Sequence, residues 1–270
     1  MEIQIMREIA NRVEKGENVA LVTLIQVDGS SPGKKGNLMA VFENKKILGT
    51  VGGGNLEYTL IQEAINSMQS QESKELEFDL IEDAALHMKC GGKIKAFIKV
   101  FKKRDKLIII GGGHVGTELY NLGVFLEMDT VIFDDRIEFC NDSRFPQASE
   151  LILGEIDKNL ENYKLDKNSY IVIVSRGHLQ DKASLIQVLK QDTGYIGMIG
   201  SRKKIIETYK EILETGENIK KLKNVYSPIG LDISSGSPKE IAISIIAEIL
   251  TVKNKLTGKH MRDVKKIELL

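Results

Sequence analysis

Two glycine clusters hold the residues best suited to chemistry. The first is VGGGNLE, Val51 to Glu57, with Asn55 closing the run of Gly52, Gly53 and Gly54. The second is LIIIGGGHVG, in which Gly111-x-Gly113-x-x-Gly116 follows an apolar run and carries His114 inside the motif. About 20 residues further on, TVIF ends in Asp134 and Asp135, where a dinucleotide fingerprint places its carboxylate. The chemistry expected there is pyrophosphate binding. Gly111 permits a tight turn, Gly113 admits phosphate close to backbone N–H groups, and Gly116 lets a helix pack on its strand. The positive end of that helix would favour the phosphates. Asp134 would accept from a ribose hydroxyl, which disfavours a 2′-phosphate. The same glycines would equally serve a nucleotide-type unit that has lost its ligand.

Other candidates are fewer. His178, in SRGH after an apolar run, is placed to face a ligand at the carboxyl end of a sheet or to serve as an ordinary loop histidine. Tyr163 and Lys167 have the YxxxK spacing of some reductases, but YKLDKN reads as a polar loop and the spacing as chance. The loop DGSSPGKKG offers Ser30 and Ser31 as hydroxyl donors and Lys34 and Lys35 as ammonium donors. Its Asp-Gly and Pro-Gly chemistry also suits a solvated turn. Cys90 and Cys140 are too few for a disulfide framework, and neither lies in a CxxC.

The elements that position these residues fall into two grammars. The early part mixes a helix with Ile5, Ile9 and Val13 on one face, the run ALVTLIQV, the strand NLMAVFE and a turn into KKILGTV. A helix over LEYTLIQEAINSMQ follows, with Leu56, Leu60, Ile61, Ala64 and Met68 on one side. EDAALHMK reads as a short helix before CGG. KIKAFIKVF alternates Ile94, Ala96, Ile98 and Val100 with lysines, as a half-buried antiparallel strand does. After the charged joint KKRD the runs become continuously apolar: LIIIGGG, TVIFDD, SELILGE, SYIVIVSR and GYIGMIGS. Such runs indicate strands covered on both faces in a parallel sheet. SSGSPKEIAISIIAEIL starts a helix, with Ser237 as N-cap, Pro238 at N1 and Glu240 completing a capping box. The expected organisation is an α/β chain: an α+β domain over 1–103, a Rossmann-like parallel-sheet domain over 104–254 and a charged tail over 255–270.

Composition removes several function classes. Thirty-eight basic residues balance 38 acidic ones, so no global field draws the chain to nucleic acid or an anionic membrane. Tryptophan is absent and aromatics are 6%, which disfavours a stacking platform for single strands. No apolar run approaches the roughly 18 to 20 residues of a membrane span. The opening MEIQIMREIANRVEKGENVA does not read as a signal peptide, and the cysteine usage fits a cytoplasmic location.

Four stretches in order resemble the XdhC/CoxI family of xanthine dehydrogenase accessory proteins. They are VDGSSPGKKGNLMAV with GTVGGGNLE; MKCGGKIKAFIKVF; IIIGGGHVG with FDDRIEFCNDSRFPQA; and YIGMIGSRKK with SPIGLDISSGSPKEIAISIIAEIL. The resemblance covers nearly the whole chain. It implies an XdhC/CoxI domain followed by a Rossmann domain. It further implies binding of molybdenum cofactor (molybdopterin), assistance in its sulfuration, and insertion into an apo molybdenum hydroxylase of the xanthine dehydrogenase type. A sulfurtransferase is a further implied partner. On this reading Ser30, Ser31, Lys34, Lys35, Gly52, Gly53, Gly54, Asn55 and Cys90 handle the cofactor, while Gly111, Gly113, His114, Gly116, Asp134 and His178 face NAD or another nucleotide. A homodimer is the expected assembly, although no stretch specifies its interface. Binding and transfer need no turnover by this chain. The competing readings are an NAD-dependent oxidoreductase and a nucleotide-sensing regulatory protein.

Two departures from the family pattern bear on chemistry. Many relatives have cysteine where this chain has Asn55, and asparagine cannot be a thiolate ligand, so no metal site is assigned. Cys90 is then the remaining sulfur candidate, or simply a buried thiol. Lysines 34 and 35 stand where relatives tend to carry arginine, and they offer point charges in place of a bidentate fork.

Overall fold

The structure, a computed structural model, describes residues 1–29, 33–79, 92–214, 216 and 219–265. Ser30, Ser31 and Cys90, and the helix expected over EDAALHMK, lie outside the described residues. The chain divides into two compact units, Met1–Arg104 and Asp105–Leu270.

In the N-terminal unit, α1 (Glu2–Glu14) precedes β1 (Val19–Gly29), β2 (Leu38–Phe42), β3 (Ile47–Gly49), α2 (Gly54–Ser70), β4 (Lys74–Asp79) and β5 (Gly92–Phe101). The strands form an antiparallel sheet in the order β3-β2-β1-β5-β4. Period-2 alternation decides which residues face which helix. Ala20, Val22 and Leu24 of β1 join Ile94, Ala96, Ile98 and Val100 of β5 beneath Leu56, Leu60, Ala64 and Met68 of α2. Val19 and Leu21 point the other way, to Ile5 and Ile9 of α1. The α1 helix stops because Gly16 takes φ +79°, and the N–H groups of Gly16 and Glu17 return to the carbonyls of Val13 and Arg12.

The C-terminal unit comprises β6 (Lys106–Ile110), α3 (His114–Phe125), β7 (Asp129–Asp134), a 3₁₀ turn (Ile137–Phe139), β8 (Glu150–Leu153), α4 (Ile156–Asn162), β9 (Ser169–Ile173), α5 (His178–Val188), β10 (Tyr195–Met198), α6 (Arg202–Glu214), α7 (Ile219–Leu222), α8 (Pro238–Lys253) and α9 (Met261–Val264). Its five strands are parallel, in the order β10-β9-β6-β7-β8. All five continuous apolar runs are therefore strands, and both faces are covered. Ile108, Ile110, Val131 and Phe133 pack with α4, α5 and α6, and Leu107, Ile109 and Ile132 with α3 and α8. The order reverses between β6 and β9, the switch point at which open α/β sheets bind ligands beyond the carboxyl ends of their strands. Ser237 caps α8 as its pattern requires, accepting from the Glu240 N–H at 3.3 Å, with Pro238 at N1.

Close packing of α3 on β6 depends on Gly116. A Cβ there would lie 2.0 Å from the Gly111 carbonyl oxygen and 3.3 Å from Ile109 Cγ2. We expect Gly116→Ala to cost about 2–3 kcal/mol by overpacking, measured as a lowered urea midpoint at unchanged m-value. A midpoint equal to that of the wild type would show that the strand–helix contact is looser than this.

Candidate functional site

The first glycine cluster is a turn that only glycine can make. Gly52, Gly53 and Gly54 have φ of +122°, +79° and +67°, a left-handed run that L side chains rarely adopt. The run swings the chain from β3 into α2, of which Gly53 is the N-cap and Asn55 a first-turn residue. The N–H groups of the turn do not all point outward. One oxygen of Glu57, Oε2, accepts from the Val51 N–H at 3.0 Å, the Gly53 N–H at 3.2 Å and the Thr50 hydroxyl, while Thr50 Oγ1 accepts from the Gly52 N–H at 3.1 Å. A carboxylate four residues beyond the N-cap thus fills part of the cradle expected for an anion. The lysine loop lies against the same turn, since a Cβ on Gly33 would be 2.2 Å from the Val51 carbonyl oxygen. Lys34 and Lys35 are exposed, and neither forms an ion pair among the described residues. The backbone of this loop is pinned by the Gly36 N–H to the Leu24 carbonyl at 2.8 Å.

The second cluster is built differently. Gly111 has φ +114°, but Gly113 has φ −69°. Gly112 is required by the 3₁₀ turn, because a Cβ there would sit 2.0 Å from the Phe139 carbonyl oxygen. Asp134 ends β7 where the fingerprint expects its acid, yet it is only 1% exposed. Its Oδ2 accepts from the Gly112 N–H at 2.8 Å and from Arg136 Nη2 at 2.9 Å. Its Oδ1 accepts from the Arg136 N–H at 3.1 Å and Nε at 2.8 Å. Burial pushes the carboxyl pKa up, and the bonds from Arg136 and Gly112 outweigh it, holding Asp134 below the usual carboxylate range. A carboxylate with four internal donors is directed into the protein, in contrast to the ribose acceptor that its spacing suggests.

His178 is likewise turned inward. As the first residue of α5 it holds Thr208 of α6 at 3.1 Å through Nδ1 and lies 3.5 Å from Glu211 through Nε2. Thr208 Oγ1 also donates to the Lys204 carbonyl at 2.9 Å. The imidazole clasps α5 to α6. Beside it, buried Asp181 accepts from Ser175 Oγ at 2.5 Å and pairs with Lys204 at 3.2 Å. Burial raises the Asp181 pKa against the opposing effects of Ser175 and Lys204. His114 is exposed at the start of α3.

Tyr163 and Lys167 stay apart from all of this. The Tyr163 hydroxyl donates to Glu150 at 2.7 Å and lies 3.2 Å from Lys106 Nζ, at the amino ends of β8 and β6. Lys167 pairs with Asp192. The chance reading of YxxxK stands on this placement. A cavity of about 660 Å³ between Leu189 and Tyr226 also lies away from the carboxyl ends of the strands, at the start of β10. No group of three or more His, Cys, Asp or Glu is placed to hold a metal ion among the described residues. None of the helices among them is long and apolar enough to cross a membrane.

Sequence reading missed Glu57, Arg136 and Arg144. Glu57 and Arg136 carry a local signal, four residues after Gly53 and two after Asp134. Arg144 had none, because its partners, Gly112 and Thr117, lie 32 and 27 residues away. Asp134→Asn should destabilise the chain by about 3 kcal/mol near neutral pH, since it strands a largely buried guanidinium. The folded-state pKa of Asp134 is depressed, so its contribution is complete above the unfolded value and is lost as pH falls through the folded one. The gap between wild type and Asp134→Asn should therefore be flat above about pH 5 and close below about pH 4. Denaturant titrations across that range check both points, and a gap that persisted at low pH would contradict the assignment.

Comparison with known proteins adds the family. The profile of the XdhC Rossmann domain matches residues 107–249, and that of the XdhC and CoxI family matches residues 12–79. The chain is 28% identical over 259 residues to the uncharacterized protein YqeB of Escherichia coli strain K12, covering 95% of this chain and 47% of that protein. It is 28% identical over 160 residues to a probable xanthine dehydrogenase subunit of Bacillus subtilis strain 168, covering 59% of this chain and 46% of that one. The chain thus spans about half the length of the curated relatives it matches. A crystal structure of a xanthine dehydrogenase from Bacillus halodurans superposes with a TM-score of 0.52 at 20% identity, covering 94% of this chain and 96% of that one, which shows a shared fold. The two profiles follow one another along the chain in the order of its two units, and the chain belongs to the XdhC and CoxI family.

Proposed function

We propose that this chain is an accessory factor for a molybdenum hydroxylase of the xanthine dehydrogenase type, which binds molybdenum cofactor and assists its maturation and insertion. Family membership and the relative described as a probable xanthine dehydrogenase subunit support the client class. The observation that carries the binding role is the packing of the lysine loop on the VGGGN turn. Gly33 touches the Val51 carbonyl, which places Lys34 and Lys35 on a segment anchored beside the first turn of α2. The donors suit a phosphorylated pterin: two exposed ammonium groups, beside the α2 N-terminus that Glu57 fills in part, for the phosphate, and the Asn55 amide for the heterocycle. When bound, the cofactor supplies the redox-active molybdenum that the client uses.

Sulfur handling goes to a separate sulfurtransferase in this proposal. Asn55 is no thiolate, and Cys140 is the free cysteine among the described residues. Burial pushes the Cys140 thiol pKa up, and its Sγ lies 3.7 Å from the Ile132 carbonyl. An NAD-dependent oxidoreductase finds less support, because Asp134 is engaged by Gly112 and Arg136, and Tyr163 by Glu150.

Protein purified from cells that make the cofactor should carry pterin, measured as its fluorescent oxidation product. The double variant Lys34→Gln/Lys35→Gln should lower that load about ten-fold while leaving the Tm unchanged, because both side chains are exposed. Pterin-free protein that also fails to stimulate reconstitution of an apo-hydroxylase would rule the proposal out.

A further inference from the structure

The cavity of about 660 Å³ at the amino end of β10 is built by LKQDTGYI, which follows α5, and by KKLKNVY, around α7. It lies at the opposite end of the strands from the crevice in which sheets of this class hold their ligands, and it is independent of the accessory role proposed above. Its size is within the roughly 300–1,000 Å³ of small-molecule sites. Buried Leu189, Ile196 and Val225 give it an apolar wall, while Lys190, Lys223 and Asn224 are exposed at its rim.

An aromatic shelf is fixed in that wall. The Tyr195 and Tyr226 rings stack with their centres 4.8 Å apart and their planes 21° from parallel. Tyr195 is held from behind. Its hydroxyl donates to Glu248 at 2.5 Å, and Gly197 leaves room for it, since a Cβ there would lie 2.5 Å from the hydroxyl oxygen. Tyr226 is held along the edge of β10, its N–H donating to the Ile196 carbonyl at 2.9 Å and its carbonyl accepting from the Met198 N–H at 3.0 Å. Tyr195 is buried, whereas Tyr226 is 37% exposed. Because Tyr195 covers one face of Tyr226, that exposure falls on the rest of the ring. A ring already immobilised loses little entropy when a second ring stacks on it.

The charge beside the shelf is positive. Lys221 is engaged, its Nζ donating to the Leu189 carbonyl at 2.9 Å, which answers the carbonyl end of α5. Lys190 donates to Gln187 Oε1 at 2.8 Å, and neither it nor Lys223 forms an ion pair among the described residues. Asp192, the carboxylate on the lining, already pairs with Lys167. Two ammonium groups are therefore left without a counter-charge. The side chains of Thr193 and Asn224 make no hydrogen bond among the described residues. An amide that both donates and accepts suits the polar edge of a heterocycle.

We propose that this cavity binds a planar heteroaromatic ring carrying a phosphate. The ring stacks on Tyr226, its polar edge meets Asn224 and Thr193, and the phosphate lies between Lys190 and Lys223.

Titration of the full-length chain with flavin mononucleotide, followed by quenching of the flavin fluorescence, and with AMP, followed by calorimetry, tests this with a large ring and a small one. At least one should bind at sub-millimolar concentration, and the tighter of the two identifies the size of ring. Its counterpart without phosphate, riboflavin or adenosine, should bind about ten-fold more weakly. Tyr226→Leu should weaken the tighter ligand about ten-fold, and Tyr226→Phe should leave it unchanged. Lys223→Gln, at an exposed site, should weaken it about three-fold at unchanged Tm and flatten its salt dependence. Three results would each overturn the proposal: neither phosphate bound at millimolar concentration, the ring without phosphate bound as tightly, or affinity indifferent to both Tyr226→Leu and Lys223→Gln, which would place the ligand elsewhere.

Discussion

The carboxylate of Asp134 is the constraint on which the C-terminal unit turns. It accepts four hydrogen bonds, from the Gly112 N–H and from three donors of Arg136, and so ties the loop after β6 to the end of β7. Buried and charge-assisted, these bonds are stronger than neutral ones and leave neither oxygen to spare. Their consequences spread through contact. Arg136 stacks 3.9 Å from the centre of the Phe139 ring, the Phe139 carbonyl closes over Gly112, and Arg144 shares the same ring. A loop that could flex to admit a nucleotide is instead held from one side. What it presents on the other side is the positive end of α3.

The N-terminal unit reaches a similar end by another route. Glu57 holds the VGGGN turn from within its own helix, whereas Asp134 holds the GGGHVG loop from a neighbouring strand. The difference follows from the backbone. Three successive left-handed glycines curl the turn tightly enough for a side chain four residues on to reach back over it. The loop after β6 has a single left-handed glycine at Gly111 and runs more open, so its acid must come from 22 residues away. Both devices hold backbone N–H groups of their turns on a carboxylate of the same unit.

Much of this architecture was legible in the sequence because hydrophobic period separates the two sheet types. KIKAFIKVF alternates, and Lys93, Lys95 and Lys99 do face away from the core that Ile94, Ala96 and Ile98 enter. LIIIG and SYIVIV do not alternate, and β6 and β9 are covered on both faces. Caps were legible too, as at Ser237, because they are local. The direction in which a polar side chain is satisfied was not. Spacing put Asp134 at the mouth of a crevice and His178 at the edge of a sheet. Their partners lie as far off as Gly112 and Thr208, beyond the reach of any local pattern. Reading a residue type at a motif position gives its address and leaves its orientation open.

That orientation decides the electrostatics where the first turns of α3 and α8 meet. The α8 helix carries Glu240 in its first turn, and the Ser235 hydroxyl and N–H hold this carboxyl below its usual range. The positive end of α8 is therefore partly answered by its own acid. The first turn of α3 has no such residue, and the acid nearest in the motif is already paired with Arg136. Two like helix ends meeting at one cavity repel, and a desolvated guanidinium beside them adds to the cost. Glu118 offsets one charge of several. The field left at the mouth of α3 is set by Arg144 and the unanswered helix end.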